Sequence, residues 1–382
     1  MPHPKVAMLD PSAFTPPYDR SLAAALARAG AEVELITSKF AYGPVPEPQG
    51  YEVTELFYNR ATGIPLSSRA RLPLKAAEHV PGMLAARMLI AGADVAHWQW
   101  LTYPPLDRHL LGRRRKQPRV ITLHYPLPPP GESRALRAER RLLSRFDAVI
   151  AHTEGGAERL SADVGLDADS VHVIPHGPFD YLTALPEETP LPDALAAVPA
   201  ERPVILFFGL LRPYKGIDLL LEAFAALGPT DAELWIAGMP RMPLEPLQEL
   251  AERAPGTVRF LPRFIADPEI PALMRRADAL ALPYREIEQS GVLYTGLAFG
   301  KPMILSDVGG FAEVARRHGA ARLVPPGDVD ALAAALAELV TDPAERERLG
   351  AAAAASVDGD LGWDAIAART LELYARLGAG EG

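Results

Sequence analysis

Short runs of apolar residues alternate along this chain with stretches whose apolar positions recur every three or four residues. Residues 5–9 are followed by a helical pattern over 18–29, a stop at Gly30 and a second apolar run over 32–36, which predicts a β-α-β opening. Further apolar runs at 95–98, 119–124, 148–151 and 171–174 are short and continuous enough to be buried on both faces, the mark of a parallel sheet covered by helices. Residues 178–203, rich in proline and acidic side chains, break the period and read as a connection between domains. The alternation then restarts with runs at 204–208, 233–237, 258–261, 279–282, 303–306 and 322–324, and a helix over 217–226. The expected fold class is α/β, with two doubly wound domains. The divisions expected are residues 1–185, a linker at 186–202, residues 203–360, and a helical tail at 361–382 packing back on the first domain.

Composition narrows the picture. A chain of 382 residues suits two domains. It has no cysteine, which removes disulfides, thiolate metal sites and cysteine nucleophiles and fits a reducing compartment. The first residues run straight into a strand pattern with no leader-like apolar segment, and no run of about 18 apolar residues occurs. The expected location is cytoplasmic, the inner membrane face being the peripheral alternative. The net charge of −9 is unevenly spread: residues 1–185 carry 21 Lys/Arg against 19 Asp/Glu, and residues 186–382 carry 18 against 29. Residues 87–145 hold 12 basic and 4 acidic side chains, among them Arg113, Arg114, Arg115, Lys116, Arg119, Arg134, Arg137, Arg140, Arg141 and Arg145. Two readings stand side by side: contact with an anionic lipid surface or a phosphorylated acceptor, or a solvated loop and helix face. Nucleic acid is disfavoured, because the chain is acidic and the basic segment lacks interleaved aromatic residues.

Ligands of doubly wound sheets lie beyond the carboxyl ends of the strands, so the residues just after each apolar run carry the chemistry. The segment FGLLRPYKG, residues 208–216, places Arg212 and Lys215 before a helix, with Gly209 and Gly216 permitting close backbone approach. That suits a diphosphate; solubility is the plainer explanation of the same cations. The polar loop 283–290 enters a helix near Ser290, whose free amides and positive dipole end suit an anion. Glu286, Glu288 and Gln289 in that loop either hold sugar hydroxyls or cap the helix. His124 ends a first-domain strand and is either a satisfied core side chain or a group facing a ligand. His97, His152, His172 and His176 also lie near strand ends, without the spacing of metal ligands on a helix. No catalytic metal and no cofactor are expected. The first loop, DPSAFTPPYDRS, lacks the G-x-G-x-x-G of a dinucleotide-binding turn, which argues against a dehydrogenase.

Taken in order, FGLLRPYKG, LPYREIEQSGVLYTGLAFGKP and SDVGGFAE resemble the retaining glycosyltransferases of family 4, and the resemblance runs over nearly the whole chain. It implies the GT-B architecture, two facing Rossmann-like domains with a deep interdomain cleft, and transfer from a UDP- or GDP-sugar to an acceptor hydroxyl with retained configuration and no metal. The first domain would take the acceptor, a glycan or lipid-linked molecule of polysaccharide or glycolipid assembly, and the second the nucleotide-sugar. By the resemblance Lys215 and Arg212 neutralise the donor diphosphate. Ser290, Gly291 and Val292 offer amides to it, His124 looks toward the transferred sugar, and Gly238, Arg263 and Phe264 fall where the base is held. Asp307 to Gly310 would be structural, with Glu313 beginning a helix. The sequence departs from the family pattern in three places. Leu210 replaces the arginine that usually follows the Gly209 position. Ile287 and Thr295 stand where the family has two glutamates, so Glu286 or Glu288 would take the first role and Thr295 would meet the ribose. The first loop replaces a glycine-rich turn, so Phe14, Pro17 and Tyr18 would shape the acceptor side. Two other functions fit the same fold: a non-catalytic nucleotide-sugar-binding partner subunit, and a nucleotide-sugar epimerase.

Overall fold

The computed structural model describes residues 3–41, 43, 45–65, 68–112, 117–131, 133–287 and 289–379. The chain divides into two compact units: Met1–Gly177 together with Gly362–Gly382, and Pro178–Leu361.

The first unit runs β1 (Lys5–Asp10), α1 (Pro16–Arg28), β2 (Glu32–Ser38), β3 (Glu52–Phe57), α2 (Arg71–Leu89), β4 (Val95–Trp98), α3 (Pro104–Leu110), β5 (Arg119–Thr122), α4 (Arg134–Leu143), β6 (Ala148–Ala151), α5 (Glu154–Arg159) and β7 (Val171–Val173). These strands form one sheet in the order β3-β2-β1-β4-β5-β6-β7, with every pairing parallel. Strands β4, β5 and β6 are buried along their length, as their unbroken apolar sequences require when helices cover both faces. Strand β3 lies at the sheet edge and is partly exposed. Its mixed sequence EVTELF carries no continuous apolar run, which is why the hydrophobic pattern does not reveal it.

The second unit runs α6 (Asp193–Ala196), β8 (Val204–Phe208), α7 (Ile217–Ala225), β9 (Glu233–Ala237), α8 (Glu245–Ala251), β10 (Thr257–Leu261), α9 (Ile270–Arg276), β11 (Ala279–Leu282), α10 (Gly291–Ala298), β12 (Met303–Ser306), α11 (Gly309–His318), β13 (Ala321–Val324), α12 (Val329–Thr341) and α13 (Pro343–Asp358). Its parallel sheet has the order β10-β9-β8-β11-β12-β13. Leu182, Leu195 and Val198 are buried in the core of this unit, so the proline-rich segment after Gly177 packs as part of it. The last helix, α14 (Trp363–Ala379), belongs to the first unit. There Arg28 pairs with Asp364 at 2.8 Å, and the Tyr374 hydroxyl lies 2.6 Å from His97 Nδ1.

Each sheet reverses its winding at one place, between β1 and β4 in the first and between β8 and β11 in the second. At such a point the loops leaving the two neighbouring strands diverge to opposite faces and leave a crevice for a ligand. The loops in question are 11–15 and 99–103 in the first unit, and 209–216 and 283–290 in the second.

Candidate active site

In the second unit the loops after β8 and β11 are pressed together. Gly216 starts α7 with φ 67°, and a Cβ there would stand 2.0 Å from the Pro283 carbonyl oxygen. Only glycine fits such an approach. Arg285 clamps the same two loops: its guanidinium donates to both Asp218 carboxylate oxygens at 3.0 and 2.6 Å and to the Pro213 carbonyl at 2.8 Å. This two-pronged ion pair holds Lys215 in place, and neither partner stood out in the sequence.

Lys215 is only 7% exposed. Its Nζ lies 4.8 Å from the centre of the Tyr284 ring and 3.2 Å from where a Gly209 Cβ would stand. No ion pair or hydrogen bond reaches it from the described residues. Burial, and secondarily the neighbouring Arg212, lower its pKa to about 8. A desolvated ammonium without a counter-charge is costly unless an anion arrives. Arg212 is exposed beside it, with no acid bound to it among the described residues. Ser290 caps α10 with an extended backbone, so the amides of Gly291 and Val292 are free of intrahelical partners. The side-chain amide of Gln289 is buried, with the Tyr294 hydroxyl as its near neighbour, and its oxygen takes no backbone N–H of α10. Gln289 therefore does not cap the helix. Two cations and a helix start converge on the reversal point of the sheet, with the Gln289 amide in the same loop, an arrangement able to hold a diphosphate and sugar hydroxyls.

The remaining positions divide. Gly238 has φ 150°, and a Cβ there would stand 1.8 Å from the Gly209 carbonyl oxygen, so its lack of a side chain lets the β8 and β9 loops meet. Phe264 is 51% exposed and open to stacking, but Arg263 is engaged with Glu269 at 2.5 Å and with the Phe264 carbonyl. Its guanidinium shapes the loop instead of standing free for a base. Thr295 is buried and its hydroxyl donates to the Gly291 carbonyl at 2.9 Å; one turn into α10, it is directed into the helix and not toward a ribose. Glu286 is exposed. Glu288 lies outside the described residues. Asp307 is paired with Arg316 at 2.6 Å, and Glu313 falls within α11, four residues after its start at Gly309.

In the first unit, side chains at the ends of β4 to β7 form a buried hydrogen-bonded row. His152 Nδ1 donates to the Ile174 carbonyl at 3.0 Å, so its Nε2 accepts from His124 Nδ1 at 3.2 Å. That leaves a lone pair on His124 Nε2, 3.0 Å from the Gln99 amide; the neutral network closes when that amide turns its NH2 group toward the histidine. Burial, with repulsion from His152 and His176, holds His124 well below the usual histidine range. Burial likewise brings His152 to about 4 and, with His152 nearby, His97 to about 3. The row is neutral, and His124 sits between Trp100, stacked at 5.6 Å, and Tyr18, edge-on at 4.7 Å. Tyr18 is fully buried and Pro17 half-buried, whereas Phe14 stands 50% exposed against Trp100 at 5.1 Å. Of the three residues expected on the acceptor side, Phe14 presents open surface and Tyr18 packs against His124.

The loop bearing Phe14 is held by a pair of buried carboxyls. Asp10 accepts from the backbone N–H groups of Ser12, Phe14 and Thr15 at 3.2, 2.5 and 3.1 Å, which suits the ionised form. Asp19 lies against it, and burial followed by the Asp10 charge raises its pKa well above the carboxylate range. Asp19 therefore carries the shared proton. Of the basic segment, Arg113, Arg114, Arg115 and Lys116 lie outside the described residues; Arg134, Arg137, Arg140 and Arg141 are exposed on α4. Among the described residues, no group of three or more His, Cys, Asp or Glu could hold a metal ion, and no helix is long and apolar enough to cross a membrane.

Comparison with known proteins agrees in both units. The model of Glycosyltransferase Family 4 matches residues 19–177, and that of Glycosyl transferases group 1 matches residues 202–342. The chain is 30% identical to a D-inositol 3-phosphate glycosyltransferase of Xylanimonas cellulosilytica, over 98% of this chain and 97% of the relative. It is 27% identical to an MMP alpha-(1->4)-mannosyltransferase of Mycolicibacterium hassiacum, over 67% of this chain and 65% of that protein. Among solved structures, a sucrose-phosphate synthase from Thermosynechococcus elongatus superposes with a TM-score of 0.74 at 23% identity, covering 99% of this chain and 100% of that one. Anabaena HepE in complex with UDP-glucose superposes with a TM-score of 0.68 at 22% identity, covering 98% and 100%.

Proposed function

The chain belongs to the family 4 glycosyltransferases, and from that premise we propose that it moves a sugar from a UDP- or GDP-sugar to an acceptor hydroxyl, with retained anomeric configuration and without a metal ion. The observation that carries this reading is the buried, uncompensated Lys215 ammonium beside Arg212 and the start of α10. In the transfer, the bond from the anomeric carbon to the diphosphate oxygen breaks and a bond to the acceptor oxygen forms. The acceptor's proton passes to the departing phosphate oxygen, so no protein base is needed. Negative charge grows on the diphosphate in the transition state, and fixed cations and amides in a desolvated setting stabilise it there more than in the ground state. Lys215, Arg212, Ser290, Gly291 and Val292 take that role, with Gln289 turned to a sugar hydroxyl, Phe264 to the base and His124 to the transferred sugar.

The acceptor falls to the first unit and is a glycan or a lipid-linked molecule. The exposed arginines of α4, together with Leu72, Leu84 and Met88 exposed on α2, support an anionic membrane surface as the place where it is met. Ile287 and Thr295 in place of carboxylates favour, as a second reading, a partner subunit that binds the nucleotide-sugar without turning it over. The deciding experiment is calorimetric titration with UDP, GDP, ADP and their sugar conjugates in the presence of a chelator, followed by donor consumption with and without acceptor. Selective binding and acceptor-dependent consumption support the transferase. Binding without consumption leaves the partner subunit, and no binding of any nucleotide overturns the donor site.

A further inference from the structure

The hydrogen-bonded row in the first unit does not stop at Gln99. Through His97 it reaches α14, whose Tyr374 hydroxyl lies 2.6 Å from His97 Nδ1. His97 Nε2 lies 2.7 Å from the Thr122 hydroxyl and 3.3 Å from the Gln99 side-chain amide, and that amide reaches His124 Nε2 at 3.0 Å. His97, Gln99, Thr122 and Tyr374 are fully buried, so their polar atoms find their partners inside the row. The row thus ties the ends of β4, β5 and β6 to the last helix of the chain, with the half-buried His124 ring in its middle.

One group sets the direction of every bond in it. The Ile174 carbonyl can only accept, so His152 holds its proton on Nδ1 and offers a bare Nε2. His124 then carries its proton on Nδ1 to meet that nitrogen at 3.2 Å, which leaves its own Nε2 bare. Among the described residues, the donor in reach of that lone pair is the Gln99 NH2 group, and an amide so turned presents its oxygen to His97. His97 keeps its proton on Nε2, where it serves the Thr122 and Gln99 oxygens, and its bare Nδ1 accepts from Tyr374. Every ring nitrogen of His97, His124 and His152 then has a partner of the right sense, and none needs a charge. The opposite amide orientation would set bare nitrogens of His124 and His152 against each other or else demand an imidazolium. The rings that face His124 are uncharged as well: Trp100 after β4, His152 after β6, His176 after β7 and Tyr18 on α1. Burial above all holds His152 and His176 below the usual histidine range. The nearby carboxyls Asp10 and Asp19 are engaged with each other and with the loop at 11–15, and Tyr125 gives its proton to Glu139 at 2.6 Å. No carboxylate or cation pairs with the His124 ring among the described residues.

We propose that Gln99, with His97 and Tyr374 behind it, is a positioning residue that presents His124 to the transferred sugar as a neutral imidazole protonated at Nδ1, and so keeps cationic charge away from the anomeric carbon. The role rests on the reading of the chain as a transferase with His124 turned to the sugar. As the diphosphate leaves with the bonding electron pair, positive charge grows on the anomeric carbon. An imidazolium beside that carbon would oppose the growth by Coulomb repulsion, whereas Lys215 and Arg212 stabilise the electron pair that departs. The two demands fall to different units: cations for the diphosphate in the second, a charge-free row for the sugar in the first.

The test has two arms on the full chain. Long-range proton–nitrogen NMR with isotope-labelled histidine reads the tautomer, the His124 signals being those lost in His124→Asn. Wild type should show a proton on Nδ1 and a bare Nε2, unchanged from about pH 6 to about pH 9, where an ordinary histidine would titrate. Gln99→Glu keeps the shape of the side chain but offers only acceptor oxygens, so it should draw a proton onto His124 Nε2 and make an imidazolium at pH 7. Turnover is read as hydrolysis of the UDP- or GDP-sugar that wild type accepts, which needs no acceptor. The kcat of Gln99→Glu should be about tenfold or more below wild type at pH 7 with donor KM within about twofold. The ratio of variant to wild type should climb as the imidazolium loses its proton at higher pH; the ratio removes the titration of Lys215, which both proteins share. Tyr374→Phe should lower kcat several-fold, and adding it to Gln99→Glu should cost little more. A wild-type His124 that is charged or protonated at Nε2, a loss in Gln99→Glu that is equal at every pH, or full kcat in Tyr374→Phe overturns the assignment. Should circular dichroism show Gln99→Glu unfolded, the wild-type tautomer and Tyr374→Phe decide in its place. Should wild type consume no nucleotide-sugar, the transferase reading falls and this role with it; should it consume one while His124 is charged, the role of the row fails alone.

Discussion

Replacing Lys215 with methionine should make the protein more stable and less able to bind its donor. Burial lowers the lysine from 10.5 to about 8. At about 1.4 kcal/mol per pKa unit the folded state gives up roughly 3 kcal/mol to keep this ammonium charged at pH 7. The Tyr284 face returns about 0.5–2 kcal/mol of that, leaving a net cost of about 1–3 kcal/mol. Methionine keeps the bulk of the lysine stem and asks for no counter-charge. For a domain of this size each kcal/mol moves Tm by about 2–4 °C, so Lys215→Met should melt roughly 2–12 °C higher. The sign with pH follows from proton counting. Between the folded value near 8 and the unfolded value near 10.5 the unfolded chain holds more protons, so wild-type stability rises with pH across that window. The penalty is complete below pH 8 and absent above 10.5. Urea unfolding of both proteins at intervals from pH 7 to 10.5 measures it, and the gap between them should close toward the upper end. Addition of UDP at about a hundred times its dissociation constant should raise wild-type stability by about 2.7 kcal/mol and leave the variant nearly unmoved. A variant that is no more stable than wild type at pH 7, with a gap independent of pH, would refute an uncompensated buried charge at this position.

Other outcomes follow from the same geometry. Arg285→Gln and Asp218→Asn should each raise the donor KM about tenfold through loss of charge-assisted bonds while far-UV circular dichroism stays unchanged; the double variant should be no worse than either single one, and additive effects would deny that the pair acts as a unit. Asp19 has a folded pKa raised above its unfolded value, so its contribution to stability is complete at low pH and lost as pH rises through the folded pKa. Asp19→Asn should flatten that decline in urea titrations, and an unchanged decline would place the proton elsewhere. In vesicle sedimentation the protein should follow phosphatidylglycerol in preference to phosphatidylcholine and be released by high salt; Arg137→Glu with Arg141→Glu should abolish the preference, and equal sedimentation with both lipids would dismiss the basic helix as a membrane contact.

The strands of both sheets were legible because those buried on two faces need continuous apolar sequence: 95–98, 148–151, 204–208, 233–237, 279–282 and 303–306 coincide with strands β4, β6, β8, β9, β11 and β12. Edge strand β3 was not, since its half-exposed residues alternate without a clear apolar face. Lys215, Gln289 and Ser290 could be singled out because the loops at the winding reversal are where a ligand must lie and their residue types suit a diphosphate. What the sequence concealed is commitment between distant residues. Nothing local tells that Arg263 is engaged with Glu269, that Thr295 turns its hydroxyl into its own helix, or that Arg285 reaches Asp218 across 67 positions. The same holds for His97 with Gln99, and for Asp10 with Asp19, whose meaning arises only when the sheet brings strand ends together.

The first unit is built from two stretches of chain, with α14 supplied after the whole of the second unit. During synthesis the sheet β3 to β7 leaves the ribosome with Tyr18 and His97 lacking the cover of Trp363 and Tyr374, which lie 5.2 Å from the Tyr18 ring and 2.6 Å from His97 Nδ1 when folded. At about 5–20 residues per second that gap lasts on the order of ten seconds or more, while residues 178–361 emerge and can close their own core. Completion of the cover over the histidine row thus waits until the second unit has emerged. A nascent chain that stalls or is clipped before Trp363 would carry a finished second unit joined to an unfinished first one.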